Sequence, residues 1–122
     1  MKPVMVNGEM WKIRRVPADS PLLVDRTGSP RAATTDPGTR SINISTEIVP
    51  PLLDRVLLHE VAHAITISHG LLFPLRMKLP SELWVLVEEW SVELLEKYGI
   101  EAIIAASESL GRPLCINGRC LQ

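Results

Sequence analysis

Two histidines and a glutamate in the middle of the chain have the types and spacing of a metal site. They lie in the pentapeptide His59-Glu60-Val61-Ala62-His63. On an α-helix, residues four apart lie on one face, one turn above each other. His59 and His63 can therefore direct two imidazole nitrogens at a single Zn²⁺. Glu60 then lies beside the metal, where its carboxylate can take a proton from a zinc-bound water molecule.

The residues around this motif predict the helix that it requires. The apolar stretch Val56-Leu57-Leu58 precedes the motif, and Ala64-Ile65 follows it. Such a helix can run through the middle of a protein, because only its metal face is polar. The pattern predicts a helix from Leu52 to the neighbourhood of His69-Gly70, where the glycine can end it. The competing interpretation is an ordinary buried helix with two coincidental histidines.

A catalytic zinc site uses three protein ligands and an open position. Two further carboxylates, Glu88 and Glu89, lie on a second predicted helix. Glu88 shares a stripe with Trp84 and Leu95, and a carboxylate on an apolar face is costly unless it is paired or bound to metal. We therefore predict Glu88 as the third ligand. Glu89 is the reserve, because its helical stripe looks solvent-exposed and contains Glu82, Glu93 and Glu96. Two surface glutamates are the competing interpretation.

Other polar side chains are weaker candidates. His69 lies six residues after His63, off the ligand stripe, so it could reach the metal only through a non-helical turn. A hydrogen-bond donor for the negative charge that develops on a substrate carbonyl oxygen is also expected. The conceivable donors are His69, Arg76 and Tyr98.

The first half of the chain predicts short strands. Residues 10–14 alternate between apolar and polar types, and Val4-Met5-Val6 is a suitable hairpin partner across the Asn7-Gly8 turn. Residues 40–45 alternate as well and predict another strand.

The second half predicts helices. After the first helix, a proline-rich connector spans 71–80, a second helix spans 82–98 and stops at Gly99, and a third spans 100–110.

Length and charge exclude several classes of protein. The chain has 122 residues, which predicts one domain over 1–122. Its net charge of −1 gives no electrostatic case for binding nucleic acid or an anionic membrane. No apolar run reaches transmembrane length. The first residues lack the apolar stretch of a secretion signal, so the cytoplasm is the expected compartment.

The two cysteines, Cys115 and Cys120, flank a second Asn-Gly turn signal at 117–118. In the resulting hairpin the two cysteines face each other, so their sulfurs could bridge. Because a cytosolic compartment is expected, two free thiols are the favoured state.

The order of these motifs resembles that of a known family. Ile42-Asn43-Ile44-Ser45, the HEVAH helix and the later Val87-Glu88-Glu89-Trp90 segment are similar to the small zincin-like metallopeptidases of the gluzincin type. The nearest resemblance is to ImmA/IrrE-type proteins and phage-encoded zincin-like proteins, and it covers residues 40 to 99.

This resemblance implies an α+β fold in which a small mixed or antiparallel sheet packs on the central HExxH helix. A following helix would supply the third zinc ligand. It also implies that the strand at 40–45 is the outer strand of the sheet, where it would align an extended peptide antiparallel to itself.

The expected function is therefore that of a zinc-dependent metallopeptidase. His59, His63 and Glu88 would hold the zinc, Glu60 would act as the general base, and a protein or peptide would be the substrate. One alternative is a non-catalytic binding or structural module in which zinc only stabilises the helices. Another is a non-peptidase hydrolase.

Overall fold

A computed structural model of the chain describes residues 1–116 and 118–121. It is a mixed α+β structure in which a four-stranded sheet precedes a series of helices. The sheet contains β1 (Val4–Val6), β2 (Glu9–Val16), β3 (Ala33–Asp36) and β4 (Ser41–Ser45). The helices are α1 (Leu52–Ser68), α2 (Phe73–Lys78), α3 (Trp84–Leu94) and α4 (Ile100–Leu110).

The sheet is mixed, which is one of the two arrangements that the resemblance implied. Its strand order is β1-β2-β4-β3, with β2 and β4 parallel and the outer pairs antiparallel. β1 and β2 form the predicted hairpin. Asn7 and Gly8 both have positive φ, 49° and 74°, which matches the right-handed twist of the strands on either side.

The predicted strand at 40–45 exists as β4, but its expected place at the edge of the sheet is wrong. β4 lies between β2 and β3, and all five of its residues are buried. The outer strand on this side of the sheet is β3, which pairs antiparallel with β4. The sequence Ala33-Thr34-Thr35-Asp36 has no apolar alternation, so its pattern did not predict a strand. Residues 33–36 form a strand because the backbone groups along one side of β4 are available to pair with them.

The core lies between the sheet and α1. The buried side chains of Trp11, Ile42 and Ile44 meet Ala64 of α1, and partly buried residues of the same helix pack around them. The indole nitrogen of Trp11 donates a hydrogen bond to Ser68 Oγ at 3.2 Å, so this buried polar group is satisfied. Helix α1 is therefore fixed on the sheet by one face, and its other face is free to meet α3.

The predicted break between the second and third helices does not occur. Gly99 has helical backbone angles, φ −61° and ψ −42°, and the chain passes from α3 to α4 through a π-helical turn at Leu95–Gly99. Gly111, with a left-handed φ of 68°, ends α4 instead. A glycine ends a helix in this way only where its backbone adopts the left-handed conformation.

The connector 71–80 also differs from the prediction, because it contains α2.

The cysteines pair across a short hairpin of β5 (Cys115–Ile116) and β6 (Arg119–Cys120). The prediction that the two cysteines face each other is confirmed. The prediction that they are free thiols is wrong, because Cys115 and Cys120 form a disulfide. Asn117 of the predicted turn lies outside the described residues.

Within residues 1–116 and 118–121, no helix is both long enough and apolar enough to cross a membrane.

Replacing Ile44 by alanine tests where the core lies. Ile44 is fully buried between the sheet and α1, so Ile44→Ala is expected to lower the free energy of unfolding by about 2–5 kcal/mol. The matched control is Ile104→Ala, because Ile104 is half-exposed and should change stability by no more than about 0.5 kcal/mol. Urea denaturation measures both variants. Equal losses at the two positions would contradict this core.

Candidate metal centre

Helices α1 and α3 present facing rows of ionisable side chains. Arg55, His59 and His63 follow one another at intervals of four residues on α1, so they share one face. The facing carboxylates meet them in reverse chain order. Glu96 lies next to Arg55, and Glu88 lies next to His63. The two helices are therefore antiparallel where they meet.

His59, His63 and Glu89 form a group that could hold a metal ion. One ligand atom from each residue lies within 4.8 Å of the others. Nε2 of His59 is 3.5 Å from Oε2 of Glu89, and Nε2 of His63 is 3.3 Å from Oε1 of the same carboxylate. The imidazole rings have centroids 5.0 Å apart. The predicted convergence of the two imidazoles is thus present, with a carboxylate from the next long helix beside them.

Glu88, the predicted third ligand, is not part of this group. It is buried, as its apolar stripe predicted, but its Oε1 lies 3.2 Å from His63 Nδ1, where the ring nitrogen can donate a hydrogen bond. Its Oε2 lies 3.6 Å from Arg76 Nη2. The apolar stripe predicted correctly that this carboxylate needs a partner. Such a stripe cannot distinguish a metal ion from an imidazole and a guanidinium group as the partner.

Glu89, the reserve ligand, is the carboxylate that faces both Nε2 atoms. The expectation that its stripe faces solvent is wrong for Glu96, whose side chain is only 11% exposed. The Glu89 side chain is 46% exposed, as expected, yet it also contacts both histidines. Glu93 does behave as a surface residue and pairs with Lys97 at 3.9 Å. Half-exposure is compatible with a ligand, because a catalytic metal site must be open on one side.

Glu60 is buried beside the histidines, and its carboxylate is held by the edge strand. The Thr35 hydroxyl of β3 lies 2.5 Å from Glu60 Oε2 and 3.1 Å from the Glu60 backbone oxygen. This contact links the outer strand of the sheet to the residue that the motif predicts as a general base. No sequence pattern pointed to Thr35, because its contact with Glu60 depends on the unpredicted strand β3.

The weaker candidates lie outside this group of three. Arg76 is engaged with Glu88 and stacks on Trp84, with its guanidinium carbon 5.5 Å from the ring centroid. His69 is exposed at the carboxyl end of α1, and Tyr98 is exposed on the π-helical turn.

The charges around the group favour a cation. Four carboxylates, from Glu60, Glu88, Glu89 and Glu96, lie near two imidazoles. Among the residues that the structure describes, Arg55 and Arg76 are the only arginines or lysines that form ion pairs with these carboxylates. Burial lowers the pKa of His63, but the hydrogen bond to Glu88 and the charges of Glu60 and Glu89 outweigh burial, so the pKa is raised.

The pKa of Glu88 moves in the opposite direction. The hydrogen bond from His63 lowers it, burial opposes this change, and the positive charges of His63, Arg26 and Arg76 add to the lowering. Both shifts favour the charged forms of His63 and Glu88 beside each other when no metal is bound.

The chain matches no protein-family model, no curated protein sequence and no solved structure. Its function must therefore be inferred from its own residues and their geometry.

The His63–Glu88 pair predicts a pH dependence of stability in the metal-free protein. The contribution of His63 is fully present below its ordinary pKa of 6.5 and is lost as pH rises through its raised pKa. The contribution of Glu88 is fully present above its ordinary pKa of 4.5 and is lost as pH falls through its lowered pKa. Together they stabilise the fold most between pH 4.5 and 6.5.

Urea unfolding in the presence of a chelator, at pH 5.5 and pH 8.5, measures this effect. The wild type should lose more stability than Glu88→Gln between the two pH values, because the variant has no carboxylate to pair with the imidazolium. Glu93→Gln is the control, since Glu93 lies on the surface of the same helix. An identical pH dependence in the wild type and Glu88→Gln would show that the pair does not act this way.

Proposed function

We propose that this chain is a zinc-dependent metallopeptidase with a zincin-like arrangement of sheet and helices. The observation that carries the proposal is the convergence of both Nε2 atoms on the Glu89 carboxylate, with Glu60 buried beside them. His59, His63 and Glu89 would hold the zinc. This donor set, two imidazoles and one carboxylate, is a known set for catalytic zinc.

The distances between the donor atoms can be compared with those in a zinc site. Four ligands at about 2.0–2.1 Å from a tetrahedral ion are separated from one another by roughly 3.3 Å. Nε2 of His59 and Nε2 of His63 lie 3.5 and 3.3 Å from different oxygens of the Glu89 carboxylate, and one ligand atom from each residue lies within 4.8 Å of the others. These donors would have to draw closer together to reach the separation of a tetrahedral zinc site. When bound, it would act as a Lewis acid that polarises a substrate carbonyl and acidifies a water molecule.

Glu60 would move the proton in the reaction. Its carboxylate accepts a proton from the water molecule whose oxygen attacks the peptide carbonyl carbon. It then returns that proton to the amide nitrogen as the carbon–nitrogen bond breaks, so the carboxylate is regenerated. Thr35 would keep the carboxylate in position by donating to Oε2. A site that served only for stability would have no use for a carboxylate placed between the two histidines.

A peptide substrate is supported by the edge strand. β3 pairs with β4 on one side only, and an outer strand presents unpaired backbone groups to which an extended peptide can add. Because the Thr35 side chain reaches Glu60, a peptide aligned on β3 would run beside the catalytic residues. In this proposal β3 has the peptide-aligning role that the resemblance implied for residues 40–45.

Zinc-binding measurements on two variants test which glutamate is the ligand. Glu89→Ala should weaken zinc binding by more than about 100-fold, because it removes a ligand. Glu88→Ala should weaken it by about 10–100-fold, because it removes only a partner of His63. Competition with a chromophoric chelator measures both affinities. The reverse order would restore Glu88 as the ligand.

A second substitution tests the role of the general base. Glu60→Gln should retain zinc and lower the rate of peptide cleavage by about 10²–10⁴-fold, because the amide cannot accept the proton. Cleavage of a broad peptide pool, analysed by mass spectrometry, provides the assay, and Glu93→Gln is the control with unchanged activity.

Full activity in Glu60→Gln would rule out this mechanism. Zinc binding without cleavage of any peptide by the wild type would favour the non-catalytic binding or structural module.

A further inference from the structure

Glu96 is an acidic residue near the group that the proposed reaction does not use. Its Oε2 lies 3.6 Å from His59 Nδ1, and its Oε1 lies 3.7 Å from Arg55 Nε. The Glu96 side chain is largely buried although it ends in a carboxylate, whereas Arg55 is well exposed. A carboxylate removed from water in this way needs partners, and these two groups are the ones it meets.

The same arrangement occurs at the other histidine. Glu88 lies between Arg76 and His63 Nδ1, as Glu96 lies between Arg55 and His59 Nδ1. In both cases the Nδ1 atom faces a buried or largely buried carboxylate, and the Nε2 atom faces Glu89. The repetition divides the four carboxylates near the histidines by position: Glu89 faces both Nε2 atoms, Glu88 and Glu96 face one Nδ1 atom each, and Glu60 is held by Thr35.

We infer that Glu96 is a positioning residue that sets the tautomer and the ring orientation of His59. A carboxylate beside Nδ1 favours the proton on that nitrogen, which leaves the lone pair of Nε2 for a metal ion that would lie between Nε2 and Glu89. Arg55 Nε, 3.7 Å from the other oxygen of Glu96, partly balances the charge of this carboxylate. The inference rests on the proposed metal site, but it does not require that the site be catalytic.

The position of Glu96 in the helix agrees with this role. It lies seven residues after Glu89, which is two helical turns, so both side chains project from the side that faces α1. Glu96 also lies within the π-helical turn Leu95–Gly99, and such turns are frequent at functional sites. Glu93, three residues earlier, points to the surface and pairs with Lys97. It supplies a matched control in the same helix.

Zinc affinity is the first measurement. Glu96→Ala is expected to weaken zinc binding by about 10–100-fold, the usual effect of removing a carboxylate that orients a metal-bound histidine. Glu96→Gln should lie between Glu96→Ala and the wild type, because its amide oxygen keeps a partial negative charge beside Nδ1 but loses the charge of the carboxylate. Glu93→Ala should bind zinc as the wild type does. Competition with a chromophoric chelator gives all four affinities.

The second measurement reports the tautomer itself. Two-bond ¹H–¹⁵N correlation spectra of the metal-free protein, with His59 assigned by its absence in His59→Gln, show which ring nitrogen carries the proton in the neutral imidazole. Because the Glu89 carboxylate lies 3.5 Å from His59 Nε2, all variants are compared in the Glu89→Ala background. In that background, chains with Glu96 or with Glu96→Gln should have the proton on Nδ1 of His59. Glu96→Ala should shift it toward Nε2, a change that a loss of packing alone would not produce.

The outcomes separate this inference from the proposed function. If the wild type binds no zinc, the metal site and the role of Glu96 both fail. If the wild type binds zinc, but Glu96→Ala leaves either the zinc affinity or the tautomer of His59 unchanged, only the role of Glu96 is overturned. Weaker binding together with a changed tautomer, in Glu96→Ala and not in Glu93→Ala, supports it.

Discussion

The arrangement of this protein depends on the contact between two antiparallel helices whose facing sides carry opposite charge types. One face of α1 is committed to the sheet through Ala64 and the surrounding apolar residues. Its histidines must therefore meet whatever lies on the other side, and the acids of α3 and the π-helical turn lie there. Buried carboxylates are stable only when they are paired. This requirement fixes the rotation of α3 against α1, because turning α3 away would leave Glu88 without His63.

The sheet contributes in two ways. Its central strands provide the apolar surface that holds α1, and its outer strand β3 reaches Glu60 of the HExxH motif through Thr35. After β2 the chain forms β3 with one strand position left between the two, and it then returns as β4 in that position, parallel to β2 and antiparallel to β3. The candidate site is therefore assembled from parts that are distant in sequence, with Thr35 and Glu60 separated by 25 positions.

Local patterns predicted the features that depend on neighbours in sequence. The β1–β2 hairpin follows from Asn7-Gly8, and helix α1 and the convergence of its histidines follow from spacing alone. What could not be predicted depends on contacts across the fold. Strand β3 has no apolar alternation, and the ionised partners of Glu88 are visible only once α2 and α3 are placed. The role of Glu89 had a detectable signal, because Glu89 and Glu96 are two turns apart and can face the histidines together. That stripe was interpreted as solvent-facing since all its members are acidic.

The hydrogen bond between Thr35 and Glu60 has a consequence for how the proposed enzyme could evolve. The strand that would choose the substrate and the group that would shuttle its proton are mechanically joined. A substitution that reshapes β3 to accept a different sequence would also disturb the geometry of proton transfer. Substrate selectivity and turnover could not then be adjusted separately at this position. Changes in substrate preference would have to come from side chains elsewhere along the proposed peptide path.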